Sequence, residues 1–299
     1  MNKKTVFTAI VGRPNAGKST LLNALLGEKI SITSNKPQTT RNKITGILTK
    51  DETQYVFFDT PGIHLPKSML GRYMAKSAKG AIGDVDVVVL ITEPESKVGP
   101  VEREVMQKAK TGDIPIVLVI NKIDLIAKEN ILEIIRSYSQ EHEFAAILPI
   151  SALKSDGVEL VLCEIEKYLV ESEFFFPEDM ITDQPERQIA AEIIREKALR
   201  LLSEEVPHGI GVAIEEYKAQ ASKNLVSIRA EILCDRDSHK KIIIGKNGEM
   251  IKRIGTYARE DLEKFLECKI YLDLWVKVKR DWRDKPGILS NLGYNERDL

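Results

Sequence analysis

The stretch that most limits how this chain can fold is Gly12–Ser19, "GRPNAGKS", lodged between an apolar run, "TVFTAIV" (5–11), and a helix-like segment, Ser19–Leu26. It fits the pattern G-x-x-x-x-G-K-[ST]. Glycines let the backbone curl so that successive N–H groups point inward at an anion, and a following helix N-terminus adds positive potential. Such a loop needs a buried strand before it and a helix after it. One short stretch therefore demands a layered α/β architecture. In that setting Lys18 would reach the β- and γ-phosphates of a nucleotide, and the Ser19 hydroxyl would bind Mg²⁺.

The rest of the first half agrees. Apolar, β-rich runs recur at 55–59 ("YVFFD"), 85–92 ("VDVVVLIT"), 114–121 ("IPIVLVIN") and 145–151 ("AAILPIS"). Helix-like segments lie between most of them, at Lys67–Gly80, Val101–Lys110 and Asn130–Glu141. Continuous Val/Ile runs mark strands buried on both faces, as in a mostly parallel sheet. The stretch 43–58, "KITGILTKDETQYVFF", reads instead as a hairpin, which makes one edge strand antiparallel. A last helix is expected over Gly157–Glu171, and "FFFPEDMITDQPE" (174–186), with two prolines and several acids, reads as a linker.

Three further short motifs end strands of this half, where open α/β sheets place their ligands. "DTPG" (59–62) puts the Asp59 carboxylate where it can hold Mg²⁺ through water, and the Gly62 N–H where it can sense a γ-phosphate. "NKID" (121–124) offers Asp124 as a bidentate acceptor for guanine N1–H and N2–H₂, a pairing adenine cannot make. Asn121 would brace the loops, and the Lys122 stem would lie on the base. "SAL" (151–153) sets the Ala152 N–H toward guanine O6.

In this order and at these strand ends, the motifs resemble those of the translation-factor class of GTPases. The resemblance implies a GTP site made of Gly12, Arg13, Pro14, Asn15, Ala16, Gly17, Lys18, Ser19 and Thr20. It adds Asp59, Thr60, Pro61, Gly62 and Ile63, then Asn121, Lys122 and Asp124, and finally Ser151, Ala152 and Leu153. Mg²⁺ would be held by Ser19, Thr40 and Asp59. Thr40 of "PQTTR" (37–41) is the favoured switch threonine and Thr39 the alternative. Lys18, Thr40 and the Gly62 backbone would carry the hydrolytic chemistry. Ile63 stands where Ras-like enzymes carry a water-orienting glutamine, so slow intrinsic hydrolysis is expected. Asn15 reads two ways, as a ligand for a K⁺ ion acting like an arginine finger, or as a plain loop residue. His64 reads as a solvated loop histidine rather than a catalytic one.

The second half carries another glycine loop, "GKNGEMIKRIG" (245–255), of different design. Gly245 and Gly248 are only two residues apart, so this is G-x-x-G and not a second phosphate loop. Before it come a helix, Arg187–Glu204, and two strands, "VAIEEYK" (212–218) and the alternating 226–232. After it come helices beginning at Met250–Ile254 and Tyr257–Leu266, then the alternating strand 269–282. The order α-β-β-α-α-β resembles a type II KH domain. There the G-x-x-G loop lets a nucleic-acid backbone pass close by. Ile244, Gly245, Lys246, Asn247, Gly248, Ile251, Lys252 and Arg253 would form the RNA surface, with "III" (242–244) and Ile251 as groove floor. Trp275 and Trp282 are candidates for base stacking. The basic segment after Trp282 reads either as an extension of the RNA surface or as a solvated tail.

Composition adds limits. The 299 residues carry a net charge of −1, which excludes a wholesale electrostatic nucleic-acid binder. From Arg187 on, 22 Lys+Arg against 19 Asp+Glu give +3, leaving 44−22 against 45−19, or −4, for the rest. Cys163, Cys234 and Cys268 form no C-x-x-C pair, so reduced thiols in a cytosolic protein are expected, without zinc. The start is too short in apolar residues for a signal peptide, and no run approaches a membrane span.

Taken together, a GTPase domain at 1–173, a linker at 174–186, a type II KH domain at 187–282 and a tail at 283–299 resemble the Era family of GTPases. "KVKRDWRDKPGILSNLGY" (277–294) matches that family's ending as well. The resemblance implies a monomeric GTP/GDP-binding assembly factor of the small ribosomal subunit. Its KH domain would bind the single-stranded 3′ end of the small-subunit rRNA when GTP is loaded. The family is cytoplasmic and associates peripherally with the membrane.

Overall fold

The structure is a computed structural model, and it describes residues 2–34, 36, 39–62, 68–203, 206–220, 222 and 224–294. Ile63 and His64 lie outside the described residues, as do Pro37 and Gln38 of the switch stretch. By its contacts the chain divides into two compact units: the first takes Met1–Ser31, Thr40–Leu65 and Met74–Asp183, and the second takes Gln184–Leu299 with the short stretches Ile32–Thr39 and Pro66–Tyr73.

The first unit is an α/β sheet in the order β2-β3-β1-β4-β5-β6. The strands are β1 (Lys4–Val11), β2 (Ile44–Lys50), β3 (Thr53–Asp59), β4 (Val87–Thr92), β5 (Ile116–Ile120) and β6 (Ala146–Pro149). All pair in parallel except β2, which pairs antiparallel to β3 with Ile44 opposite Asp59. Strands β4 and β5 are buried at every position, as their unbroken Val/Ile/Leu runs require once helices cover both faces. One face packs α1 (Lys18–Leu26) and α5 (Val158–Ile165) through Leu21, Leu22, Leu25, Val161 and Ile165. The other packs α3 (Pro100–Thr111) and α4 (Glu129–Ser139) through Val105, Ala109, Ile134 and Tyr138. Helix α2 (Met69–Gly80) precedes β4.

The helix expected over Gly157–Glu171 is shorter. After Ile165 the chain tightens through a 3₁₀ turn, Glu166–Tyr168, and Val170–Glu171 forms a short strand, β7, antiparallel to Lys4–Thr5 of β1. The reason is backbone satisfaction. β4 pairs with β1 only from Thr8 onward, so the start of β1 has groups left for β7 to meet. The stretch expected as a linker is also held. The buried Gln54 side chain accepts from Phe175 N (2.9 Å) and Phe176 N (3.1 Å) and donates to Phe176 O (2.9 Å). Ile47 N donates to Ile181 O at 2.9 Å.

The second unit stacks helices on one face of a three-stranded sheet, β10-β9-β8. In chain order it runs α6 (Glu186–Leu201), β8 (Gly211–Gln220), β9 (Leu225–Cys234), α7 (Asp237–Ile244), α8 (Glu249–Leu266) and β10 (Lys269–Val278). β8 is antiparallel to β9, and β10 is parallel to it. Ile228, Ala230 and Ile232 of β9 bury against Ile193, Ile194, Ile254, Ala258 and Leu262.

The two helices expected after the G-x-x-G loop are one. Ile254, Ala258 and Leu262 form a continuous buried stripe through α8. Packing of that stripe outweighs the ~1 kcal/mol that Gly255 costs in a helix interior. The last strand ends at Val278 rather than 282. The segment beyond it forms a 3₁₀ turn, Trp282–Asp284, and a helix, α9 (Pro286–Asn291), instead of a solvated tail. Trp282 is fully buried and donates Nε1–H to Gly209 O at 2.9 Å, so it cannot stack on a base. Trp282→Ala should therefore destabilise the protein by about 3–5 kcal/mol, with an unchanged urea m-value, in a denaturation series.

Candidate functional site

In the first unit, four loops converge at the carboxyl ends of β1, β3, β5 and β6. The phosphate loop joins β1 to α1 with Gly17 at φ 105°. A Cβ on Gly17 would fall 2.1 Å from Asn121 Nδ2, so only glycine permits this approach. Asn121 uses the proximity. Its Nδ2 donates to Ala16 O at 2.8 Å, its Oδ1 accepts from Ala152 N at 2.9 Å, and its own N–H donates to Thr92 O at 2.9 Å. One buried carboxamide thus ties the 12–19, 121–124 and 151–153 loops together. The Ala152 N–H, expected to face guanine O6, is engaged by Asn121 here.

Lys18 is buried at the start of α1, with Nζ donating to Arg13 O (2.7 Å) and Gly12 O (3.2 Å). Burial pulls its pKa down to about 8, a fall partly offset by the negative charge of Asp59. Asp59 is itself buried, and burial pushes its carboxyl up, against the pull of Lys18, Ser19 and Ser31. Ser19 Oγ donates to Asp59 Oδ2 at 2.7 Å, and Ser31 Oγ donates to the same oxygen at 3.0 Å. Ser19 Oγ also lies 2.7 Å from Thr40 Oγ1. Since the Ser19 proton goes to Asp59, Thr40 must be the donor in that contact. Of the two threonines considered, Thr40 is the one brought to Ser19. Thr39 Oγ1 donates to Lys36 O at 2.6 Å instead.

Asp59 Oδ1 is buried and makes no hydrogen bond among the described residues. Two hydroxyls and a carboxylate with an unused oxygen form a hard, oxygen-only donor set, the kind that suits Mg²⁺. The residues fit the ion. Thr60 Oγ1 donates to Ile10 O at 3.0 Å, while Pro61 and Gly62 are buried alongside. Gly62 packs so closely on the phosphate loop that a Cβ there would lie 2.7 Å from Pro14 Cα. Asn15 is exposed at the loop tip with φ 66°.

At the 121–124 loop, Asp124 Oδ1 accepts from Ser151 Oγ at 2.7 Å, and Lys154 Nζ stands 3.7 Å from Oδ2. The Ser151 hydrogen bond, more than the Lys154 charge, holds the Asp124 pKa below its ordinary value. The carboxylate is kept ionised as an acceptor. Lys122 pairs with Glu93, a partner the sequence reading did not include. Leu153 is exposed at the end of "SAL".

In the second unit, α7 stops at Ile244 and Gly245 turns the chain with φ 75°. Asn247 (φ 52°) and Gly248 (φ 78°) complete the loop, and Gly248 caps α8. Lys246, Asn247, Lys252 and Arg253 are all exposed. "III" does not act as one floor. Ile243 is buried in the core, Ile242 faces out, and Ile244 is half-buried. Beside the loop runs an open groove of about 370 Å³ between α8 and β10. Ile251, Lys252 and Arg259 line one wall, with Tyr271, Leu272 and Leu274 opposite. Sequence reasoning missed Arg259 and the β10 wall. Tyr271 alternates with Ile270 and Leu272 and so read only as the far face of a strand. Because β10 is an edge strand, its exposed Tyr271 reaches the groove rim.

The fold and both sites define a phosphate-loop GTPase followed by a KH module. Family models agree. Residues 7–122 match a model described as 50S ribosome-binding GTPase, and residues 205–283 match a KH domain. GTPase Era of Clostridium kluyveri is 53% identical over 291 residues, covering 97% of this chain and 99% of the relative. GTPase Era of Ruminiclostridium cellulolyticum is 50% identical over 98% of both. The chain belongs to the Era family of GTPases. Two solved structures are similar across both units. One is an Era in complex with MgGDPNP and nucleotides 1506–1542 of 16S ribosomal RNA, with TM-score 0.93, 45% identity, and 98% and 99% of the two chains covered. The other is an Aquifex aeolicus Era variant bound to GDP·AlF₄⁻, with TM-score 0.92, 45% identity, and 97% and 99% covered.

The two loop glycines are expected to respond differently to substitution. A Cβ on Gly245 would lie 2.9 Å from Met250 N, whereas nothing stands within 4 Å of one on Gly248. Gly248→Ala should cost only the left-handed strain, about 1–2 kcal/mol, and Gly245→Ala distinctly more, compared by urea midpoints.

Proposed function

We propose that this chain is a GTP-hydrolysing switch that binds the single-stranded 3′ end of the small-subunit rRNA through its KH groove and assists assembly of that subunit. The observation that supports this most is the likeness, over 98% of the chain, to an Era that holds both MgGDPNP and a 16S rRNA segment. The description of the GTPase family model names the large subunit. We follow the 16S relative instead, because its likeness includes the KH unit and the model match stops at residue 122.

On this reading Asp124 accepts guanine N1–H and N2–H₂, and Asn121 keeps the base and phosphate loops in register. The inward N–H groups of Gly12–Thr20 and the Lys18 ammonium cradle the phosphates. Ser19, Thr40 and Asp59 are the residues that would hold Mg²⁺. The ion, when bound, offsets negative charge on the β- and γ-phosphates. Thr40 and the Gly62 N–H report whether a γ-phosphate is present, and their release on cleavage resets the switch. With isoleucine at position 63, no side chain there can orient water, so the intrinsic rate is slow. Asn15 would hold a K⁺ ion, which would supply positive charge beside the phosphates. Lys246, Lys252 and Arg253 of the loop and the first turns of α8 meet phosphates, and Ile251 in the groove supports unstacked bases. The protein works as a monomer in the cytoplasm, with peripheral association with the membrane. Among the described residues no helix is long and apolar enough to cross one.

The test is nucleotide-dependent RNA binding by the full chain. GTP should be preferred over XTP by about 10³-fold or more, because XTP leaves the Asp124 carboxylate badly paired. A 16S 3′-end oligonucleotide should bind more tightly with GDPNP than with GDP. Exchanging K⁺ for Na⁺ should slow hydrolysis. Equal affinity for GTP and XTP, or RNA binding indifferent to nucleotide, would overturn the reading.

A pH dependence also follows. Below about pH 8 Lys18 carries its proton with or without nucleotide, so this group adds no pH dependence to the affinity. Phosphate contact raises the Lys18 pKa in the complex. Above pH 8, binding must therefore take up a proton, and affinity should fall by up to about tenfold per pH unit, as measured by calorimetry.

A further inference from the structure

The stretch 92–102, "TEPESKVGPVE", joins β4 to α3 and carries three acids that the reading above leaves unused. All three meet basic side chains of the nucleotide loops. Glu93 pairs with Lys122, and Glu95 Oε2 stands 3.4 Å from Arg13 Nη1. Glu102 is the decisive member. Its side chain is wholly buried in the first turn of α3. Its Oε2 accepts from Arg13 Nη2 at 2.9 Å and from Gly99 N at 3.1 Å, and Arg13 Nε lies 2.7 Å from Oε1. The Glu102 hydrogen bond is the main reason the Arg13 pKa is raised.

An exposed ion pair of this kind would do little. Here one partner has no access to water, and the charge-assisted Nη2 hydrogen bond to Oε2 is reinforced by Nε at ion-pair distance from Oε1. Arg13 is also the second residue of the phosphate loop, and its carbonyl accepts from Lys18 Nζ at 2.7 Å. With its side chain anchored on α3 and its carbonyl on Lys18, the peptide after Arg13 has little freedom to turn. Gly99 leaves the room. A Cβ there would fall 2.0 Å from Arg13 Nη2 and 2.8 Å from Glu102 Oε2.

The geometry points to Glu102 as a positioning residue for the nucleotide: acting through Arg13, it presets the phosphate loop and thereby the affinity for guanosine di- and triphosphate alike. This rests on the nucleotide reading given above. A loop that cups the phosphates equally before and during cleavage contributes uniform binding. Its loss should raise KM and leave kcat in place. The sequence gives no hint of the pair, since 89 positions separate its members.

The test uses the full chain with mant-GDP binding, steady-state GTP hydrolysis and thermal melting. Glu102→Gln keeps the shape and the acceptor for Gly99 N but removes the charge. Arg13→Gln removes the other partner. Each should weaken mant-GDP binding and raise KM about tenfold, ~1.4 kcal/mol, with kcat within about twofold. The double variant should be no worse than the worse single one, because both break one linkage. Gly99→Ala, which pushes the flexible guanidinium aside without altering either charge, should do the same. It also carries the test should Glu102→Gln fail to fold. Unchanged affinity, additive losses, or a fall in kcat at constant KM would overturn the proposal, as would a drop in melting temperature with KM unmoved. If the unmodified chain itself failed to bind mant-GDP, the nucleotide reading would fall instead.

Discussion

The carboxamide of Asn121 is the interaction on which the first unit's site depends. It reaches the phosphate loop only because Gly17 has no side chain, and it reaches the 151–153 loop only because β5 and β6 run parallel and end together. With one donor spent on Ala16 O and its acceptor on Ala152 N, the group registers three loops that lie far apart in the chain. A change in any one of them would leave a buried polar group unmatched, a cost that a polar cavity imposes far more heavily than a surface does.

Around that brace the site holds charge under unfavourable conditions. Lys18 and Asp59 are both removed from water, and burial drives their pKa values toward each other from opposite sides. Neither arrangement favours the folded chain by itself, since a buried charge needs a partner. On the proposed reading, phosphate and Mg²⁺ are those partners, so the binding energy is in part the relief of this desolvation. The hydroxyls of Ser19, Ser31 and Thr40 keep the oxygen cluster ordered meanwhile. The Arg13–Glu102 pair does similar work from behind the loop, with the difference that its charges already satisfy each other.

Much of this was legible in the chain because it is local. Loop chemistry such as "GRPNAGKS", "NKID" and G-x-x-G is written in consecutive residues. The unbroken apolar runs of β4 and β5 announce a covered parallel sheet. What escaped is what depends on distant partners. Helix α5 was read too long because the vacant start of β1, which recruits Val170–Glu171, is invisible in the helix's own sequence. Helix α8 was read as two pieces because Gly255 signals a break locally, while the Ile254–Ala258–Leu262 stripe that overrides it acts through packing. Trp282, placed by its sequence at the end of the last strand as a candidate for stacking, is instead buried, with its Nε1–H on Gly209 O. Tyr271 and Arg259 of the groove carried no signal, since a groove wall is made by adjacency of a helix and an edge strand.

On the proposed reading, the amino-acid sequence by itself determined the identity of the chemical groups: the residues that cup phosphate, accept from guanine and turn a loop beside an RNA backbone. Backbone geometry and donor–acceptor type are properties of a few neighbouring residues, so short-range pattern suffices to specify them. Only the tertiary structure decided which groups are desolvated and which are joined. Burial and long-range contact are set by the packing of the whole sheet and its helices. For that reason the choice of Thr40 over Thr39 beside Ser19, the double engagement of Asn121 and the anchoring of Arg13 on Glu102 had to be seen in three dimensions.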